Sequence, residues 1–139
     1  GNVVNSRGSV IELFLHLKAT GCHVLPITEP SMTRFWLTLP QAVKLVLRAL
    51  QDTVGGEIYI PWLPSMSMAD LAYAIDPKSE INIIGIRKGE KMHESLDGKH
   101  MSNENSYWLK SKELWEMINE KGKYSPNSSS TPHFYTISP

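Results

Sequence analysis

An α/β fold with parallel strand pairings is the class this sequence predicts, on three observations. Short extended runs alternate with stretches whose apolar residues recur at helical spacing. The connections between extended runs are too long for hairpins, which favours parallel neighbours over a bundle or a sandwich. Residues suited to starting helices stand just ahead of the helical stretches: Thr38 with Pro40, Ser67 with Asp70, and Ser111.

Taken in order, GNVV reads as a strand, and because it starts at Gly1 without an initiator methionine the chain is expected to be a fragment whose strand neighbours lie further upstream. Val10, Leu13, Phe14 and Leu17 fall at i, i+3, i+4 and i+7 of a helix that ends near Gly21. CHVLPIT reads as a short strand, EPS as a turn and TRFWLT as extended. Thr38 then caps a helix with Pro40 in its first turn and Val43, Val46, Leu47 and Leu50 on its apolar face. Gly55 and Gly56 stop that helix, EIYIP is a strand, and SMAD opens the helix of Leu71, Ala74 and Ile75 as a capping box. INIIGI has the continuous apolar character of a buried strand, and Leu114, Met117 and Ile118 mark a last helix capped at Ser111. Residues 1–124 form the part that carries the core, and the Ser- and Pro-rich residues 125–139 read as a mobile tail.

At 139 residues and 41% hydrophobic, the chain can bury one core. Fourteen basic side chains cancel fourteen acidic ones, so no global field draws nucleic acid or an anionic membrane, and any anion site has to be local. Cys22 is the sole cysteine; it makes no internal disulfide or zinc cluster, in keeping with a reducing cytoplasm. No apolar run approaches the roughly 20 residues that span a bilayer, and no secretory signal opens the chain. The five histidines show no metal-ligand spacing. GxGxxG, P-loop and Ser/His/Asp signatures are missing, and the tryptophans and methionines read as core or interface residues.

Three arginines stand at the ends or starts of extended segments: Arg7, Arg34 and Arg87. Parallel strands gather such junctions at one edge, where α/β proteins commonly bind their ligands. Planar guanidinium forks suit phosphate oxygens, so converging arginines would suit a diphosphate; three separate surface salt bridges are the alternative, and spacing does not separate the two. In RGSVI, Gly8 lets the backbone approach a ligand and Ser9 can cap the next helix, whose amides could meet an anion or simply be capped. Lys91 and Glu94 read equally as helix-surface charges, and His93 as a partly exposed polar residue. Arg87, Lys88 and Lys91 lack the interleaved aromatics of a nucleic-acid patch.

The blocks GNVVNSRGSVIELF, LPITEPSMTRFWLTLPQAVKLVL, GGEIYIPWLPSMSMADLA and INIIGIRKGEKMHE come in the order and spacing of a known family. They resemble the C-terminal part of UDP-N-acetylglucosamine 4,6-dehydratases, of the extended short-chain dehydrogenase/reductase superfamily. The wording is closest to the inverting type that opens pseudaminic acid biosynthesis, and SNENSYWLKSKELWEMI resembles that group's C-terminal segment. The likeness extends to about Tyr124.

The resemblance implies a cytoplasmic, NADP-dependent lyase with a Rossmann half for the cofactor and a smaller half that grips UDP-N-acetylglucosamine. This chain is similar to the smaller half plus the last Rossmann strand, with the N-terminal Rossmann half missing. In the family the sugar is oxidised at C4, water is eliminated across C5 and C6, and the hydride returns to C6 with inversion at C5. The product is a 4-keto-6-deoxy sugar nucleotide for pseudaminic acid or surface polysaccharide. The C4 ketone acidifies the C5 proton, which is why a redox cofactor serves a dehydration. Relatives are hexamers or dimers, and nucleic acid and membrane are not implied as partners.

Carried over by position, Asn2 matches an asparagine that bonds the substrate near its phosphates. Arg7, Gly8, Ser9 and Val10 match the stretch that passes the nucleotide, and Pro26, Ile27 and Thr28 the segment against the uridine. Arg34 and Arg87 match the diphosphate arginines, and Glu90 lies near the ribose or braces an arginine. Two positions depart from the family pattern: Lys88 stands for the proline of RPGEK, and Glu12 where proline is common before LF. The Tyr-x-x-x-Lys pair, the groups that handle the C5 and C6 protons, and the glycine-rich NADP loop all belong upstream of Gly1. No catalytic residue is therefore expected in this chain, which alone should not catalyse. A nucleotide-sugar epimerase of the same superfamily and a non-catalytic nucleotide-sugar-binding remnant are the alternatives.

Overall fold

The computed structural model describes residues 1–120 and 134–137. Their elements follow the order β1 (Asn2–Val3), α1 (Val10–Ala19), β2 (Val24–Ile27), β3 (Thr33–Leu37), α2 (Leu39–Asp52), β4 (Ile58–Pro61), β5 (Ser65–Ser67), α3 (Met68–Ile75), β6 (Glu80–Ile83), α4 (Ser111–Asn119) and β7 (Phe134–Ile137). The α/β class holds, and parallel pairing holds for two of the strand pairs. β1 runs parallel to β3, with Asn2 opposite Trp36, and β2 runs parallel to β6, from Val24 opposite Glu80 to Ile27 opposite Ile83. β3 and β5 are antiparallel, as are β4 and β7.

Local chemistry starts the helices where expected. Ser9 Oγ accepts the Glu12 N–H at the head of α1. Thr38 and Gln41 exchange hydrogen bonds in a full capping box, with Pro40 in the first turn of α2. Ser67 Oγ accepts the Asp70 N–H to open α3. The last helix differs by one residue: Lys110 is the N-cap, and the Glu113 carboxylate takes its N–H at 2.8 Å.

One apolar core lies where α1, α3 and α4 close over β2 and β3, around Phe14, Leu25, Trp36, Leu71, Ile75 and Leu114. All five residues of β3 are buried, because β1 and β5 flank it on both edges.

Three expectations are corrected. The apolar face of α2 is present but uncovered: none of its residues is buried, and Val46 and Leu50 are largely exposed. INIIGI does not form a buried strand, because β6 pairs only with β2 among the described strands and Ile83, Ile84 and Ile86 stay exposed. Within the stretch read as a tail, Phe134–Ile137 forms β7 and pairs with β4, while 125–133 and 138–139 lie outside the described residues. β5 was not foreseen; its three residues are too short to show an alternation.

Candidate functional site

A cavity of about 660 Å³ opens where the loop leaving β1, the head of α1, the ends of β2 and β6, and β3 come together. β2 and β6 are parallel, so both C-terminal ends reach the same wall and bring Pro26, Ile27 and Thr28 beside Ile84 and Arg87. Strand alternation turns Arg34 and Trp36 of β3 to the same face, and both line the cavity. Asn2, Gly8, Ser9, Val10 and Glu90 complete the set expected from the sequence. Arg7 is the exception, an exposed residue outside the lining. Leu13, Met32 and Met68 add an apolar floor that sequence reading had not singled out.

Gly8 sits at φ +71°, a left-handed conformation that costs glycine nothing. Its N–H does not point free into the cavity: the Glu12 carboxylate accepts it at 2.7 Å. Glu12 thus places a negative charge at the α1 N-terminus, where it complements the helix dipole.

The positive groups are of two kinds. Arg34 is buried, and its Nη1 donates to the carbonyls of Thr33 at 2.8 Å and Met92 at 3.1 Å. Its Nη2 lies 2.9 Å from Met32 Sδ, and the carboxylates of Glu90 and Glu94 stand 3.8 and 3.7 Å from the guanidinium. Arg87 is exposed and has no ion-pair partner among the described residues. The turn that carries it is closed by Glu90 N–H to the Arg87 carbonyl at 3.0 Å and by Arg87 N–H to Glu90 Oε2 at 3.2 Å, with Gly89 at φ +86°. The turn is therefore closed with Lys88 in it, and the one Glu90 carboxylate accepts the Arg87 backbone N–H and stands 3.8 Å from the Arg34 guanidinium. The lining itself carries two guanidiniums and the Glu90 carboxylate, while Glu94 beside Arg34 and Glu12 on the Gly8 N–H add two carboxylates around it, so the positive character of the site is local to the two guanidiniums.

Behind Arg34 lies a polar cluster that the sequence reading missed. Thr33 and Ser102 are buried with their hydroxyls 2.6 Å apart, and Thr33 Oγ1 is 2.8 Å from His93 Nδ1. Residues 91–94 belong to no helix, so Glu94 is not a helix-surface charge; its Oε2 is buried without a partner. Thr33 and Ser102 are 69 residues apart, a separation at which no local spacing signals a contact.

Away from the cavity, three carboxylates have shifted titration, and Glu57 is held below its usual range first by the Thr53 hydroxyl at 2.7 Å. Asp76 is held below its usual range first by the hydrogen bond from His23, whose Nδ1 is 2.5 Å from Asp76 Oδ2. Asp97 is held far below by the Tyr135 hydroxyl at 2.7 Å and by the His100 backbone and ring. Burial and Asp97 push Tyr135 up to about 12. No group of three metal-ligating side chains gathers among the described residues, and none of their helices is long and apolar enough to cross a membrane.

Residues 1–113 match the family model described as polysaccharide biosynthesis protein. The chain is 50% identical over 107 residues to a UDP-N-acetylglucosamine 4,6-dehydratase (inverting) of Campylobacter jejuni subsp. jejuni serotype O:2, covering 75% of this chain and 32% of that one. A protein of the same name from serotype O:23/36 is 44% identical over 132 residues, 92% of this chain and 39% of its own length. A UDP-glucose 4-epimerase of Rickettsia conorii is 48% identical over 100 residues, 69% of this chain and 29% of the relative. Among solved structures, Pen from Bacillus thuringiensis superposes with a TM-score of 0.62 at 39% identity, over 69% of this chain and 32% of that one. The chain thus spans about a third of the length of the relatives it matches.

Proposed function

This chain belongs to the polysaccharide biosynthesis protein family, and on that premise we propose that it is the nucleotide-sugar-binding part of an inverting UDP-N-acetylglucosamine 4,6-dehydratase. The observation that carries the reading is the cavity, which gathers residues from four separate stretches around the Arg34 and Arg87 guanidiniums. Arg87, exposed and unpaired among the described residues, is the direct ligand of a phosphate; Arg34 supplies a second, seated guanidinium. A guanidinium delivers two directed N–H bonds to phosphate oxygens, and the two together suit a diphosphate. Pro26, Ile27 and Thr28 form the wall for the uracil ring, with Leu13 and Met68 completing an apolar surface for a flat base. Asn2, in the cavity lining, is the residue read as bonding the substrate near its phosphates.

A nicotinamide cofactor, NADP in this reading, would take the hydride from C4 and return it at C6. This chain carries no glycine-rich strand-turn-helix and no Tyr-x-x-x-Lys pair, so its residues do not fit a nicotinamide site. Its part in the reaction is to bind and orient the sugar nucleotide, and binding energy spent on the remote UDP helps align the sugar for chemistry elsewhere.

Titration of the chain with UDP and UDP-N-acetylglucosamine tests this. Competitive, saturable binding of both is expected, with UDP-N-acetylglucosamine preferred over UDP-glucose. A preference for UDP-glucose would favour an epimerase substrate, as the Rickettsia relative's name would lead one to expect. A cooperatively melting chain that binds no uridine nucleotide would overturn the reading.

A further inference from the structure

Arg34 lines the cavity, yet the protein engages its guanidinium from several sides. The two carboxylates near it, at 3.8 and 3.7 Å, are too far for good hydrogen bonds and act through charge. They differ in what else they do. Glu90 is on the cavity wall and closes the Arg87 turn. Glu94 is not part of the lining, and its Oε2 is buried with no partner. A carboxylate oxygen withdrawn from water without a hydrogen bond is costly unless a cation faces the group, and Arg34 is the cation in salt-bridge range.

The backbone holds Glu94 at that post. Its N–H donates to Ser102 Oγ at 2.9 Å, and its carbonyl accepts the Ser102 N–H at 2.8 Å. Ser102 is fully buried and reaches Thr33 Oγ1, and Thr33 N–H donates at 3.0 Å to the Met92 carbonyl that Arg34 also uses. Ser102 Oγ lies 2.6 Å from Thr33 Oγ1 and donates to the Thr33 carbonyl at 3.2 Å, and Thr33 Oγ1 lies 2.8 Å from His93 Nδ1. Met92, His93 and Glu94 are thus each tied to the buried Thr33–Ser102 pair.

We propose, resting on the nucleotide reading above, that Glu94 and Ser102 are positioning residues for the anion end of the cavity. Glu94 fixes the Arg34 guanidinium by charge, and Ser102 fixes Glu94. Neither touches the ligand. A guanidinium held before the ligand arrives loses less side-chain freedom on binding, and that is where the affinity comes from.

The test is calorimetric titration of the full chain with three probes: UDP, uridine and inorganic pyrophosphate. Glu94→Gln is expected to weaken UDP and pyrophosphate roughly 5–30-fold and to leave uridine unchanged, since uridine carries no phosphate. Ser102→Ala should give the same selective loss at smaller size. On an Arg34→Met background, Glu94→Gln should cost nothing further, the mark of a residue acting through another. Equal loss of UDP and uridine, as a loosened loop would produce, overturns the proposal, and so does a Glu94→Gln effect that persists undiminished on Arg34→Met. If Glu94→Gln loses its cooperative melt, Glu94→Asp, which draws the charge back by one methylene, is read by the same ratio. A wild-type chain that binds pyrophosphate but not UDP ends the nucleotide reading and leaves Glu94 to be judged on pyrophosphate; one that binds neither ends both.

Discussion

In α3, Leu71, Ala72 and Ile75 are completely buried, whereas α2, with fourteen residues against eight and apolar residues at similar spacing, buries none. α3 packs against both α1 and α4, so its apolar stripe is closed on two sides. The described neighbours of α2 are few, chiefly β4 and the small cluster of Phe35, Leu37 and Leu63 that Ala42 leans on. Spacing of apolar residues establishes that a helix has a face; only the packing across it decides whether water leaves.

The sharpest way to break this comparison is a matched pair of truncations. Leu71→Ala should cost about 2–5 kcal/mol in a urea melt, as large-to-small changes in closed cores do. Leu50→Ala, at a residue 70% exposed, should stay within about 0.5 kcal/mol. Similar losses at both sites would mean that α2 is covered by something in solution.

The same contrast of seated against exposed groups applies to the arginines. Arg87→Ala should leave the melt unmoved but weaken UDP by about 1.5–3 kcal/mol, the range for hydrogen bonds to charged groups. An unchanged UDP affinity would remove Arg87 from the diphosphate and leave the cavity's anion end to Arg34.

Caps should ignore the difference between the helices. Thr38 on α2 and Ser67 on α3 each accept an N–H of the first turn, at 3.3 and 3.0 Å, so Thr38→Ala and Ser67→Ala should each cost about 1 kcal/mol. A cap on α2 worth nothing would show that the uncovered helix frays.

The smallest effect concerns acid. Asp76, at the C-cap of α3, has its folded-state pKa depressed by His23, so the stability it contributes is present above the ordinary carboxyl pKa of about 4 and is lost as pH falls through the lower folded value. Asp76→Asn should therefore flatten the acid limb of a melting-temperature profile below about pH 4, relative to wild type. A profile of unchanged shape would mean that the His23 contact contributes no proton-linked stability.

Much of the fold was legible because its signals are local. Ser9, Thr38 and Ser67 act on amides three residues away, so the starts of α1, α2 and α3 could be read directly. β5 and β7 could not, since a strand of three or four residues is defined by its partner: β5 by β3, and β7 by β4. At the site, the arginines at strand ends were compatible with an anion or with separate salt bridges, and family resemblance rather than spacing pointed to Arg34, Arg87 and Pro26–Thr28. The Thr33–Ser102–Glu94 cluster left no local trace, and Glu94 looked like any surface charge beside Lys91.

By itself the sequence determined the starts of α1, α2 and α3, the alternation of helix and strand, and the absence of a global charge that would recruit polyanions, because each depends on neighbours along the chain or on composition alone. Tertiary structure alone decided which apolar faces are covered, that Arg34 is seated while Arg87 is free of ion pairs among the described residues, and that Ser102 stands behind both Thr33 and Glu94. Burial and charge pairing depend on distances through space, and the chain sets those only once strands far apart in sequence have found their register.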